Sequence, residues 1–137
     1  MPPPGGRGGA ASIRTAMARY GSARVTNTTR GTVVAEQCRL ARGMAQRIFG
    51  LHLLPRLKPG EGLLLPGATT IDTTFMSYPI DLVFLDRSRR VTRVVPDMAP
   101  WRMVLSGHGG HDCLELPAGA AANSRTVVGD QLELAEQ

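Results

Sequence analysis

Glycine and proline recur at short intervals along this chain. Its 137 residues include 16 Gly and 10 Pro, and only short apolar stretches run between them. Because Gly and Pro mark turns and interrupt helices, few segments are long enough for an ordinary helix. Short β-branched and apolar segments are typical of strands. We therefore predict a mostly β fold, a compact β-roll or jelly-roll-like sandwich or barrel, with one short α-helix.

The clearest strand covers residues 80–85, and residues 91–95 form its return strand after a polar turn. Residues 24–40 predict a hairpin around a turn at 28–31. Residues 58–62 predict a Pro/Gly turn that opens onto the apolar run 63–65. Further strands are predicted at 69–76, 103–105, 112–116 and 131–134.

One segment has helical periodicity. Met44, Ile48 and Leu51 follow at i, i+4 and i+7, and Pro55 prevents the helix from extending further. The sequence therefore predicts a helix over residues 43–51. Residues 1–23 hold little that could be buried, and we expect a disordered basic tail before one domain at 24–137.

The positive charge is concentrated in the first part of the chain. Residues 1–58 carry ten basic side chains and one acid, a net +9, whereas residues 59–137 carry six basic and ten acidic ones, a net −4. Fifteen of the sixteen basic residues are Arg, which suits phosphate recognition but also follows from GC-rich codon usage. Only six aromatic residues are available to stack on bases, so we expect no nucleic-acid partner.

Neither a membrane span nor a secretion signal is predicted. No apolar run approaches the roughly 20 residues that cross a bilayer, and residues 1–6 have no apolar signal core. We expect a monomeric cytoplasmic protein in which Cys38 and Cys113 are free thiols.

Residues 73–86, Thr-Thr-Phe-Met-Ser-Tyr-Pro-Ile-Asp-Leu-Val-Phe-Leu-Asp, resemble the signature of the domain of unknown function 192 family (DUF192). Three further segments resemble family motifs in the same order: 47–51 (Arg-Ile-Phe-Gly-Leu), 59–63 (Pro-Gly-Glu-Gly-Leu) and 114–119 with Gly129-Asp130. The resemblance implies a compact β-roll with one short helix, found in bacteria and archaea, and no established activity.

The chain departs from the family pattern at two positions. Asp72 stands where many relatives carry His, so a site that needs that imidazole would be altered here. Gly67 stands where relatives often carry Cys after the proline.

Asp81 is the first candidate site residue. Alternation within the predicted strand places it on the same face as Val83 and Leu85, where an unpaired carboxylate would cost several kcal/mol. We interpret Asp81 as a buried clamp that accepts backbone N–H groups or pairs with Arg47; a role in a ligand site is the alternative.

Other acids are candidates for acid–base chemistry. Glu61 lies between Gly60 and Gly62, and together with Asp72, Asp81, Asp86 or Glu115 it could form a carboxylate pair assisted by Arg47. The same acids could equally face water at strand ends.

A cluster of metal-ligand residue types lies at 108–113. His111, Cys113 and Glu115 share a strand face but span about 13 Å, too far to bind one ion together. We therefore expect no metal, and no nucleotide or cofactor motif occurs elsewhere.

Phe75, Met76 and Trp101 could line an apolar site, although such residues are more often core. If a site exists, we expect it at the rim formed by residues 71–79 and 97–110. The leading hypothesis is a non-catalytic β domain that binds a small ligand or a protein there. The alternatives are a hydrolase that uses carboxylates with an arginine, and a nucleic-acid accessory protein.

Overall fold

The computed structural model describes residues 22–41, 56–74 and 76–136. The elements are β1 (Ala23–Asn27), β2 (Thr32–Leu40), β3 (Glu61–Leu65), β4 (Thr70–Asp72), β5 (Ile80–Leu85), β6 (Val91–Met98), β7 (Met103–Leu105), β8 (Asp112–Pro117), helix α1 (Ala120–Asn123) and β9 (Leu132–Glu136). Seven strands form one curled sheet in the order β6-β5-β8-β3-β2-β1-β9, while β4 and β7 form a separate two-stranded ribbon.

The predicted mostly β fold is confirmed. The predicted strands at 80–85 and 103–105 coincide with β5 and β7, and the hairpin at 24–40 coincides with β1 and β2. The predicted strand at 69–76 is shorter, since β4 ends at Asp72. The helix predicted at 43–51 and residues 1–21 of the predicted tail lie outside the described residues. Helix α1 was not predicted at all.

The central strands of the sheet, β3, β5 and β8, are buried on both of their faces. Along β5, Val83 and Leu85 join one hydrophobic cluster and Leu82 and Phe84 join the other, because side chains alternate along a strand. We call the cluster that contains Ala121 the helix-side core, and the cluster that contains Ile71 of β4 the ribbon-side core. All six residues of β5 are therefore buried, which explains its uninterrupted apolar run apart from Asp81.

A buried polar cluster joins the two ends of the described chain. Asn27, which is fully buried, donates from Nδ2 to Asp130 Oδ2 (2.9 Å) and to Thr126 Oγ1 (3.1 Å). Asp130 also accepts hydrogen bonds from the Val127 N–H and from Arg30 Nε. Burial alone would raise the pKa of Asp130, but these hydrogen bonds and the Arg30 charge outweigh it and lower that pKa.

The two glycines beside Glu61 act in different ways. Gly60 lies in the turn with φ +87, a conformation that favours glycine. Gly62 belongs to β3, where a Cβ would come within 3.2 Å of Leu116 Cδ2 and 3.4 Å of Ala35 Cβ. Gly62 is therefore needed for close packing in the helix-side core and not for a turn.

Candidate functional site

The outer face of the ribbon carries exposed apolar side chains. Met103 and Leu105 are 69% and 62% exposed, and they alternate with Val104, which packs on the ribbon-side core. Trp101, two residues before Met103, is 59% exposed. We call Trp101, Met103 and Leu105 the ribbon stripe. Asp72 on β4 lies directly opposite Met103, so the predicted candidates Asp72 and Trp101 do come to the same end of the ribbon.

Thr73 holds the loop that carries Trp101. Thr73 is fully buried, and its Oγ1 lies 2.8 Å from the Ala99 carbonyl and accepts the Arg102 N–H at 2.9 Å. The backbone N–H of Trp101 donates to the Thr73 carbonyl. The φ angle of Trp101 is 64°, which is unfavourable for a residue with a Cβ. The hydrogen bonds of Thr73 hold this backbone conformation in place. Sequence reasoning did not single out Thr73, although it begins the 73–86 signature.

The remaining rim candidates take other positions. Met76 is 8% exposed and packs in the ribbon-side core, which is the core alternative considered from sequence. Phe75 lies outside the described residues. Asp72 accepts the Thr74 N–H at 2.8 Å and so closes a local turn at the end of β4.

Asp81 is fully buried and engaged by backbone groups. Its Oδ1 accepts the Asp97 N–H at 2.8 Å, and its Oδ2 accepts the N–H groups of Gly119 (3.1 Å) and Ala121 (2.9 Å). Acceptance of backbone N–H groups was one of the two arrangements predicted for Asp81. The other was pairing with Arg47, which lies outside the described residues.

A pocket of about 140 Å³ opens beside the start of β3. Glu61, at its wall, accepts the Lys58 N–H at 2.7 Å and lies 3.3 Å from Arg39 Nη2. Arg56 stacks on the Tyr78 ring, with 4.8 Å between the guanidinium carbon and the ring centroid. We call this the basic pocket; its walls include Arg39, Arg56, Leu57, Lys58, Glu61 and Leu63.

Glu115 Oε2 is buried and has no hydrogen-bond partner among the described residues. Tyr78 Oη is also buried, and its one polar neighbour of note is the backbone of Leu57, a residue of the pocket wall, which partly lowers the Tyr78 pKa. Glu115 is 4% exposed, and burial raises its pKa to about 7. Burial also raises the pKa of Tyr78, and the Glu115 charge adds to that increase. Sequence reasoning named Glu115 but missed Tyr78, Arg39 and Arg56.

The predicted metal-ligand residue types do not converge. Cys113 is fully buried in the ribbon-side core, and burial raises its pKa well above the usual value. His111 Nδ1 lies 2.9 Å from Asp112 Oδ1. Across residues 22–41, 56–74 and 76–136, no three His, Cys, Asp or Glu side chains form a group that could hold an ion. Both cysteines are free, as predicted, and they lie in different cores.

Sequence comparison decides the family. The profile of DUF192, described as an uncharacterised family, matches residues 25–134. The chain belongs to the DUF192 family. A UPF0127 protein of Thermococcus sibiricus is 29% identical over 111 residues, covering 78% of this chain and 71% of that protein. A UPF0127 protein of Pyrococcus abyssi is 31% identical over 100 residues, covering 69% and 82%.

Two solved structures share the fold. A protein of unknown function from Novosphingobium aromaticivorans is 25% identical with a TM-score of 0.68, and the match covers 82% of this chain and 83% of that one. A protein from Sinorhizobium meliloti is 23% identical with a TM-score of 0.71, covering 82% and 91%. Within the described part of this DUF192 chain, no helix is long and apolar enough to span a membrane.

Proposed function

We propose that this DUF192 domain is a non-catalytic binding module whose ribbon stripe docks into an apolar groove of a partner protein. The observation that carries the proposal is the exposure of Trp101, Met103 and Leu105, three large apolar side chains within five positions. Large apolar side chains exposed close together are a feature of interaction sites.

The residue types support a protein partner. Tryptophan, methionine and arginine are enriched at protein interfaces, and Trp is the commonest energetic anchor. Arg102 lies between Trp101 and Met103 in sequence and is exposed. Asp72 lies opposite Met103. A matching partner therefore carries charges of both signs around an apolar groove.

The stripe is held in place before binding. The buried Thr73 hydroxyl fixes the loop at 99–102, and Val104 anchors β7 to the ribbon-side core. Because these contacts order the backbone already, binding loses less conformational entropy than it would with a flexible loop.

The arrangement of the carboxylates favours binding over hydrolysis. Asp81 accepts three backbone N–H groups, Glu61 is engaged by Lys58 and Arg39, and Asp72 accepts a backbone N–H. An acid–base pair needs two carboxylates that are available to the substrate, whereas these three carboxylates accept hydrogen bonds within the fold. Among the described residues, Glu115 Oε2 is the one buried carboxylate oxygen without a hydrogen-bond partner.

Site-specific photo-crosslinking in cells of the source organism tests this proposal. A benzophenone side chain replaces Leu105 in one variant and Val128, an exposed residue outside the ribbon, in the control. We expect one partner protein to crosslink at 105 and not at 128, and the purified partner to bind the unmodified chain. Equal crosslinking at both positions, or none at 105, would overturn the proposal. A crosslink between two copies of this chain would show that the ribbon stripe binds a second copy and not a different protein.

A further inference from the structure

A second site is independent of the ribbon. We propose that the basic pocket binds a small organic oxyanion, a carboxylate or a phosphate ester with an apolar body, through Arg39 and Arg56, with Tyr78 and Glu115 as additional hydrogen-bond partners.

Residues of the pocket wall are neighbours of both Glu115 and Tyr78. Leu63, a wall residue, is the cross-strand partner of Glu115, so the two side chains point to the same face of the sheet. Arg56, another wall residue, lies over the Tyr78 ring at 4.8 Å. Tyr78 and Glu115 are close enough for the Glu115 charge to raise the Tyr78 pKa. Glu115 and Tyr78 are therefore neighbours of wall residues, directly behind the residues that line the pocket.

Buried oxygens without partners need an explanation, because a buried polar group that makes no hydrogen bond destabilises the fold and is rare in native proteins. In the described residues Glu115 Oε2 has no partner, and Tyr78 Oη has only the Leu57 backbone N–H beside it, which leaves the hydroxyl proton without an acceptor. A ligand oxygen that accepts from the Tyr78 hydroxyl and from protonated Glu115 would satisfy both. This requirement selects an acceptor-rich group, and an oxyanion has only acceptors.

The charges around the pocket agree with that choice. Arg39, Arg56 and Lys58 bring three cations, whereas Glu61 brings one acid that is already paired with Arg39 and the Lys58 N–H. Arginine binds carboxylate and phosphate through its planar fork of donors. The net charge of the wall is therefore positive.

The volume and the apolar walls limit the ligand. About 140 Å³ is close to the size of cavity that holds one benzene ring, so a compact molecule fits. Leu57 and Leu63 provide apolar contacts on the wall. A ring or short chain with one anionic end matches both features.

Binding by this site depends on pH. The titratable groups close enough to respond to the Glu115 charge are Tyr78 and, on its own strand, Cys113. Below pH 7 Glu115 is a neutral donor, and above pH 7 its carboxylate repels an anion. If only the protonated form binds, the affinity falls about 30-fold between pH 6 and pH 8.5.

Calorimetric titration of the full chain with benzoate, inorganic phosphate and benzamide tests the proposal. Benzamide keeps the ring but has no charge. We expect benzoate or phosphate to bind at pH 6 and benzamide not to bind. The anion that binds shows whether the ligand of the site carries a carboxylate or a phosphate group. Arg56→Gln should weaken binding at least tenfold, whereas the matched exposed control Arg87→Gln should bind as the wild type does.

Comparison of the affinities at pH 6 and pH 8.5 shows whether Glu115, and not another ionisable residue, causes the pH dependence of binding. Glu115→Gln stays neutral and keeps a donor, so its affinity should be the same at pH 6 and pH 8.5. Tyr78→Phe should bind several-fold more weakly at pH 6 and gives a second readout if Glu115→Gln folds poorly. No anion binding at either pH, equal benzamide binding, wild-type affinity in Arg56→Gln, or a pH-independent wild type would each overturn the proposal.

Discussion

The Asp81 carboxylate on β5 accepts the backbone N–H of Ala121 at 2.9 Å, and so caps helix α1 from forty positions earlier in the chain. Gly119, the residue before α1, offers no side-chain cap of its own. The first N–H groups of a helix lack intrahelical partners, and Asp81 satisfies two donors there and a third on Asp97. Asp81 thereby joins β5, the end of β6 and α1.

Asp81→Asn is expected to lower the free energy of unfolding by about 2 to 4 kcal/mol, because the amide cannot accept at both of its atoms and leaves a buried N–H unpaired. Urea denaturation measures this. The control is Asp72→Asn, an exposed acid that also accepts a backbone N–H, and it should cost well under 1 kcal/mol. Equal losses in the two variants would contradict the structural role of Asp81.

Asp130→Asn is expected to lower stability by about 1 kcal/mol at pH 7, since a charged acceptor in the Asn27 cluster is lost. The folded pKa of Asp130 is lowered, so its contribution is present above the unfolded value of 3.8 and is lost as the pH falls through the folded value. Urea midpoints of wild type and variant should therefore converge in strong acid. A gap that stays constant at all pH values would contradict this account.

Glu115→Gln is expected to stabilise the protein at alkaline pH. The folded pKa of Glu115 is raised to about 7 from 4.5, so the contribution of this group to stability is fully present below 4.5 and is lost as the pH rises through about 7. The loss reaches about 3 kcal/mol at most, and the variant avoids it. Thermal midpoints should show the variant ahead at pH 8.5 and close to the wild type at pH 4.5. Identical pH profiles would show that Glu115 is ionised without cost.

Thr73→Val is expected to cost about 1 to 3 kcal/mol, because it leaves the Arg102 N–H and the Ala99 carbonyl without their buried partner. Trp101 is the only tryptophan in the chain, so its fluorescence reports on this loop directly. Acrylamide quenching and anisotropy should show a more mobile Trp101. Thr70→Val, an exposed threonine on the same ribbon, should leave both signals unchanged; an equal change there would point to a general effect on the ribbon.

Local patterns predicted the strands, whereas contacts distant in sequence could not be predicted. The apolar run of β5 and the turn after it are local features, and both were identified. The four-residue helix α1 depends on a cap supplied by Asp81, so its own sequence contains too little signal. The role of Gly62 depends on Leu116 and Ala35, which are neighbours only in the folded sheet.

The candidate site was predicted only in part for the same reason. Asp72 and Trp101 were expected at one rim, and the ribbon pairing brings them there. Arg39, Arg56 and Tyr78 reach the basic pocket from separate segments, and no sequence spacing connects them. Side-chain exposure could not be predicted from the sequence either, since Met76 is buried while Met103 is 69% exposed.

A fluorescence titration measures docking at the ribbon stripe itself: the purified partner identified by crosslinking at Leu105 is added to the chain, and the Trp101 emission is followed. Met103→Ala keeps the only tryptophan and should weaken binding at least tenfold, as expected at a docking hot spot. Val128→Ala, an exposed apolar residue outside the ribbon, should bind as the wild type does. If Met103→Ala binds with wild-type affinity and Trp101 emission does not change, the ribbon stripe is not the docking surface.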